Sequence, residues 1–243
     1  VTALLDPPLP ARPSRLRRWL VLIVALAALV GALLAGGWQW HERAAASALR
    51  SARCERFTDQ EQARAAAVTG TGAPLLVIGD SWSSGYGLGT PASSWPARLP
   101  GRVYVDGFPG SGFSEHASSC TSVAYADRAP ADLRRIHPDL VVVEGGLNDF
   151  DQTPAEITEG FDRLMRELRG HHVIVVGPAS APSRAAEVPR VDRTLAGLSA
   201  QAHVPYFSTT RLRLSYQPDQ LHPDQAGAGA FGAAVAAFVA AHA

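Results

Sequence analysis

Lysine is absent from this 243-residue chain: all 22 basic residues are arginine, and 22 acidic residues balance them to a formal charge of zero. A neutral total provides no overall basic field to gather nucleic acid, so no nucleic-acid partner is expected. The missing lysine, beside so much alanine, is read as the codon bias of a GC-rich genome and not as a phosphate-binding device. Cysteine is scarce too. Cys54 and Cys120 stand far apart, which fits neither a CxxC redox pair nor a zinc knuckle. No ligand spacing unites His171, His172 and His203, so no metal and no cofactor is expected. No internal repeat stands out, and 47% hydrophobic with 18% charged residues excludes a disordered chain.

Charge is also lacking over one long stretch. From 19 to 38 the sequence WLVLIVALAALVGALLAGGW carries none, and at about 1.5 Å per residue it is long enough to cross a hydrocarbon core of about 30 Å. Arg12, Arg15, Arg17 and Arg18 precede it, while only His41, Glu42 and Arg43 follow closely. The positive-inside rule therefore keeps the N-terminus in the cytoplasm and exports the rest. Trp19, Trp38 and Trp40 sit where interfacial aromatics belong. The expected division is a cytoplasmic Arg-rich tail over 1–18, a transmembrane signal anchor over 19–38, a helical stalk over 39–72 and a catalytic-sized domain over 73–243. The rival is a signal peptide cleaved near Ala46-Ser47-Ala48 and a secreted product, but h-regions usually span about 7–15 residues.

Beyond the stalk, short apolar runs at 75–78, 103–105, 140–143 and 173–176, with a weaker one at 204–207, alternate with helical patterns near 93–99, 128–137, 154–169, 190–202 and 224–241. This alternation implies an α/β fold, a parallel sheet covered by helices on both faces. Ligands in such sheets bind beyond the carboxyl ends of the strands. There the sequence delivers Gly79-Asp80-Ser81-Trp82-Ser83, then Gly107-Phe108-Pro109-Gly110-Ser111-Gly112, then Gly145-Gly146-Leu147-Asn148-Asp149. Asp219-Gln220-Leu221-His222-Pro223 leads into the last helix.

A serine hydroxyl is a poor nucleophile until a base takes its proton. His222 suits as that base for Ser81, and Asp219, three residues earlier, suits as the acceptor that fixes the imidazole tautomer. Attack on an ester carbonyl creates an oxyanion. The Ser81 N–H, a glycine N–H from the second loop and the Asn148 amide are candidate donors. Asp80 and Asp149 read as turn and loop capping groups. Trp82, Tyr86 and Trp95 read equally as cleft lining or as core.

Gly79-Asp80-Ser81, the glycine loop, Gly146-x-Asn148-Asp149 and Asp219-x-x-His222-Pro223, in that order, resemble the signature of the SGNH (GDSL-type) hydrolases. Gly85-Tyr86 and Trp95-Pro96 are similar to its thioesterase and lysophospholipase branch. The resemblance spans roughly 74–241. It implies a three-layer α/β/α fold with a flavodoxin-like parallel sheet and Ser81 as nucleophile. It also implies Gly112 and Asn148 in the oxyanion hole, His222 as base and Asp219 as third triad member, with Gly110 competing for the place of Gly112. Trp82 stands where the family has leucine, and Trp82 and Tyr86 are candidate substrate contacts.

The expected activity is that of a membrane-tethered extracytoplasmic serine esterase acting on acyl or acetyl esters of a lipid or glycan. An envelope acyltransferase with a glycan hydroxyl as acceptor shares the same triad, and a catalytically silent membrane-anchored binding module is the third reading. In an oxidising compartment Cys54 and Cys120 are expected to form a disulfide, within one chain or between two.

Overall fold

The computed structural model describes residues 15–243; of the tail expected over 1–18, residues 1–14 therefore lie outside the described residues. Helix α1 (Arg15–Ala66) carries the apolar stretch. Within it an 18-residue window has a mean hydropathy of 2.0 and none of it is buried, so by length and composition it is a candidate membrane span. Leu20, Leu22, Ile23, Val24 and Leu26 are all exposed.

The chain divides into two compact units, the first ending at Leu49 and the second spanning Arg50–Ala243. The segment read as a stalk is therefore counted, from Arg50 onward, with the second unit. The packing explains why. Arg64 is fully buried and donates to Ser94 Oγ (3.0 Å) and to the Ala67 carbonyl (2.6 Å). Cys54 is joined to Cys120 in a disulfide.

Five parallel strands form the sheet of the second unit: β1 (Pro74–Gly79), β2 (Arg102–Gly107), β3 (Leu140–Glu144), β4 (His172–Val176) and β5 (Tyr206–Phe207), in the spatial order β2-β1-β3-β4-β5. Alternate side chains leave opposite faces of a strand, so the continuous apolar runs feed two cores. Leu75, Val77, Val142 and Ile174 pack with Phe231, Val235 and Val239 of α6 (Gln225–His242). Leu76, Ile78, Val141 and Val175 face α3 (Tyr125–Ile136), α4 (Pro154–Glu167) and α5 (Val188–Gln201) through Tyr125, Ala129, Ile157, Phe161, Val191 and Leu195. The result is the expected three-layer α/β/α sandwich.

Two elements differ from the sequence reading. The helix expected at 93–99 is only a 3₁₀ turn, Trp95–Arg98. Pro91, Pro96 and Pro100 remove N–H donors at close intervals, leaving i→i+3 bonds such as Leu99 N–H to the Pro96 carbonyl (3.0 Å). The last strand shrinks to two residues, because His203 turns the chain at φ 56° and Pro205 lacks an N–H.

The strand ends are held in place by Arg128 of α3. Its guanidinium donates to the Gly79 carbonyl (2.9 Å), to Ser111 Oγ (3.2 Å) and to the Asp106 carbonyl (3.1 Å), and it pairs with the Asp106 carboxylate. One side chain thus ties together the carboxyl ends of β1 and β2 and the loop that follows β2.

Candidate active site

Strand β1 ends at Gly79, and Asp80 starts a single helical turn, α2 (Ser81–Ser84), by accepting the Trp82 N–H on Oδ1 (2.8 Å). Gly85, at φ 78°, closes the turn. Close packing makes this corner possible: a Cβ at Gly107 would stand 2.6 Å from the Ser84 nitrogen. Ser81 is therefore the first residue of α2, where backbone N–H groups have no intrahelical partner. Its side chain opens into a cavity of about 260 Å³ whose wall also includes His222, Asn148, Tyr86 and Gly110.

The turn before α6 brings the other two expected residues to Ser81. His222 Nε2 lies 3.0 Å from Ser81 Oγ, and His222 Nδ1 lies 2.6 Å from Asp219 Oδ2. The bond to a carboxylate places the ring proton on Nδ1, which leaves Nε2 as the acceptor for the serine hydroxyl. Asp219 Oδ1 also accepts the backbone N–H groups of Leu221 and His222, both at 3.0 Å. Burial alone would raise the Asp219 pKa, but these hydrogen bonds outweigh it and hold the carboxyl at about 2. It is ionised across the working range, as a group that orients an imidazole has to be.

The other expected residues fall into two groups. Tyr86 lines the cavity, its ring 4.7 Å from that of His222. Trp82 does not line it: the side chain is buried, 2% exposed, against Tyr216 and Phe231, so its expected role as a substrate contact is corrected. Its indole N–H instead donates to the Leu221 carbonyl (3.2 Å) and braces the His222 turn from below. The two glycines weighed for the oxyanion hole differ in placement. Gly112 is packed where a Cβ would meet Asp149 Oδ2 at 2.5 Å and Ala117 Cβ at 2.7 Å, and the cavity wall contains Gly110, at φ 81°.

Asn148 sits on a 3₁₀ turn, Leu147–Asp149, beyond β3. Its amide nitrogen donates to the Ser111 carbonyl (2.9 Å) and to Asp80 Oδ2 (3.1 Å). A substrate oxygen would compete with the longer of these bonds. Asp149 carries out the capping read from sequence: its carboxylate accepts the Phe113 and Ser114 N–H groups at 3.1 and 2.8 Å and so fixes the loop after β2. Burial raises Asp80 to about 7 and Asp149 to about 6.

Part of the cavity wall was not foreseen. Arg53 and Phe57 of α1 contribute to it, as do Ser118, Ser119, Phe150 and Arg184. Cys54 lies between Arg53 and Phe57, and Cys120 follows Ser119, so the disulfide joins two parts of one wall.

Comparison with known proteins agrees with this geometry. The chain is 31% identical over 159 residues to Esterase TesA of Pseudomonas aeruginosa, a match that covers 61% of this chain and 79% of the relative. A carbohydrate acetylesterase family member from Sinorhizobium meliloti shares the fold at a TM-score of 0.58 and 21% identity, over 70% of this chain and 98% of that one. The native aryl esterase of M. smegmatis does so at 0.59 and 20%, over 70% and 100%. The profile of the GDSL-like Lipase/Acylhydrolase family matches residues 77–230, from inside β1 to inside α6 and so across every strand end that builds the cavity, and the chain belongs to that family.

Proposed function

We propose that this protein is a serine esterase that hydrolyses short acyl esters, acetyl esters among them, through an acyl-enzyme on Ser81. The observation that carries the reading is the continuous relay from Ser81 Oγ through His222 to Asp219, at 3.0 and 2.6 Å. In the first half-reaction Ser81 Oγ attacks the carbonyl carbon while its proton passes to His222 Nε2. The carbonyl oxygen becomes an oxyanion facing the N–H groups of Ser81 and Gly110 and the Asn148 amide. His222 then gives the proton to the departing alcohol oxygen, and the acyl group stays on Ser81. In the second half, His222 takes a proton from water, the hydroxide attacks the acyl carbon, and Ser81 leaves with the proton restored.

The cavity of about 260 Å³ beside Ser81 is the space proposed to take the acyl group. The same reading places the domain outside the cytoplasm, anchored by the apolar part of α1. The arginines before the span and the Cys54–Cys120 disulfide support this, because disulfides persist in oxidising compartments.

A serine-reactive fluorophosphonate tests the chemistry on the full chain in non-ionic detergent. Covalent labelling that maps to Ser81 and disappears in Ser81→Ala and His222→Ala is the expected result. Absence of labelling, or labelling elsewhere, overturns it. Protease added to intact cells tests the placement: digestion of residues 50–243 is expected, and protection of the domain contradicts it.

A further inference from the structure

The catalytic cavity carries two cationic side chains and, among the described residues, no acidic one on its wall. Arg53 and Arg184 line it together with Ser81, His222 and Asn148, and the rest of the wall is uncharged, Leu221 and Pro109 among it. Neither guanidinium has a carboxylate within ion-pair distance among the described residues: the arginines that pair are Arg128, Arg135 and Arg163. The acid of the triad, Asp219, is engaged by His222. Two unneutralised cations beside a nucleophile would repel a cationic substrate and give a neutral one no advantage, whereas an anion would supply the missing partner.

Arg184 is held where it stands, and the backbone that carries Arg53 is fixed. Arg184 is stacked on Phe150, its guanidinium carbon 3.4 Å from the ring centroid, and its Nε is buried without a hydrogen-bond partner. It lies on the 3₁₀ turn Pro182–Arg184, whose Ser183 N–H donates to the Gln220 carbonyl (3.0 Å), next to the catalytic histidine turn. Arg53 precedes Cys54, whose disulfide fixes this part of α1 to the loop bearing Ser118 and Ser119. Ordering a long side chain is a large part of the entropy lost on binding an anion, and for Arg184 the stacking on Phe150 has already reduced it.

Resting on the esterase reading above, we infer that the physiological ester bears an anionic group, a carboxylate or a phosphate, close to its scissile carbonyl, and that Arg53 and Arg184 bind that group. The inference concerns substrate class: the triad sets the reaction, and the arginine pair selects among esters. Fork-shaped guanidinium groups bind both carboxylate and phosphate oxygens in pairs, so the shared chemistry is an oxyanion, and the choice between the two is left to the assay.

The full chain in non-ionic detergent is given matched esters. On the leaving-group side these are 4-acetoxybenzoate, its methyl ester, 4-acetoxyphenyl phosphate and (4-acetoxyphenyl)trimethylammonium. On the acyl side they are 4-nitrophenyl hemisuccinate and 4-nitrophenyl methyl succinate. At least one anionic ester is expected to exceed its neutral counterpart about tenfold in kcat/KM, mainly through KM, with the cationic ester poorest and the preference shrinking as salt rises. Carboxylate against phosphate, and acyl against leaving-group side, identify the source of the anion. Arg53→Gln, at an exposed helical position that tolerates exchange, is expected to lower the anionic-to-neutral ratio about threefold. Arg184→Gln is expected to lower it about tenfold, and Arg53→Lys to retain most of it. Hydrolysis of neutral and anionic esters at equal kcat/KM, or a ratio unmoved by both Gln variants, overturns the inference and leaves the esterase reading standing. Turnover of no ester at all overturns that reading and this inference with it.

Discussion

The indole N–H of Trp82 donates to the backbone carbonyl of Leu221, 3.2 Å away, so the residue after Ser81 holds the residue before His222. Nucleophile and base are 141 positions apart in the chain. This part-buried bond, together with the packing of Trp82 on Tyr216 and Phe231, sets their separation independently of the bond between Ser81 and His222 themselves. In Trp82→Phe the aromatic bulk stays and the hydrogen bond goes. Loss of one such bond is worth about 1 kcal/mol, and a small displacement of the base is costly, so kcat is expected to fall about tenfold with KM little changed. Steady-state kinetics check it; an unchanged kcat means that the indole does not position the turn.

The oxyanion hole separates two neighbouring glycines. At Gly110 a Cβ has ordinary contacts, the nearest 3.6 Å away, but φ is 81°; at Gly112 a Cβ would collide with Asp149. Gly110→Ala is therefore expected to lower kcat about 10²–10³-fold by shifting an oxyanion donor, and Asn148→Ala to act on a similar scale. Gly112→Ala is expected to lower the melting temperature while the folded fraction keeps near wild-type kcat. A stable Gly112→Ala protein with a collapsed kcat would give the role back to Gly112.

The Cys54–Cys120 bridge closes a loop over a sequence separation of 66. In the chain-entropy account such a loop is worth about 4 kcal/mol, so Cys54→Ser with Cys120→Ser is expected to unfold at clearly lower denaturant concentration. Thiol titration of the denatured, unreduced wild type is expected to find no free thiol, and non-reducing electrophoresis a monomer. A dimer released by reductant contradicts the intrachain bridge.

The four strand ends and the order of their residues were legible in the sequence, because buried parallel strands read as apolar runs and the polar residues beyond them must share one edge. Ser81, Asp219 and His222 were legible for the same reason. For Trp82 the sequence left cleft and core open; successive residues of a tight helical turn point in different directions, and Trp82 points into the core. Between Gly112 and the competing Gly110 the sequence left the oxyanion role open, because only backbone geometry decides which glycine faces the serine. Arg53 and Phe57 were hidden in a segment whose helical composition resembles a linker. The expected disulfide was the available signal, since a bridge from Cys54 brings its neighbours on the helix to the domain.

Glu144 offers a test by pH. It is fully buried, accepts from Ser83 Oγ (2.6 Å), and is pushed well above the ordinary glutamate range, first by burial and then by the nearby Asp80 carboxylate. The folded protein therefore keeps a proton that the unfolded chain loses above about pH 4.5. Its contribution to stability is present at low pH and declines as pH rises towards the folded value, by up to about 1.4 kcal/mol per pH unit. Glu144→Gln keeps the shape of the neutral acid and cannot ionise. Between pH 5 and 7 its denaturation free energy is expected to fall less steeply than that of wild type, with Asp80, Asp106 and Asp149 supplying the slope that remains. Parallel curves would mean that Glu144 is ionised in the fold.

The central claim is that Ser81, His222 and Asp219 act as one catalytic unit. It is tested most directly by kcat for hydrolysis of 4-nitrophenyl acetate by wild type, Ser81→Ala, His222→Ala and the double variant, with folding checked by circular dichroism. If the residues act jointly, each single change lowers kcat by about 10³-fold or more and the double variant is scarcely worse than either. A folded Ser81→Ala protein that keeps wild-type activity, or two single losses that multiply in the double variant, would contradict it.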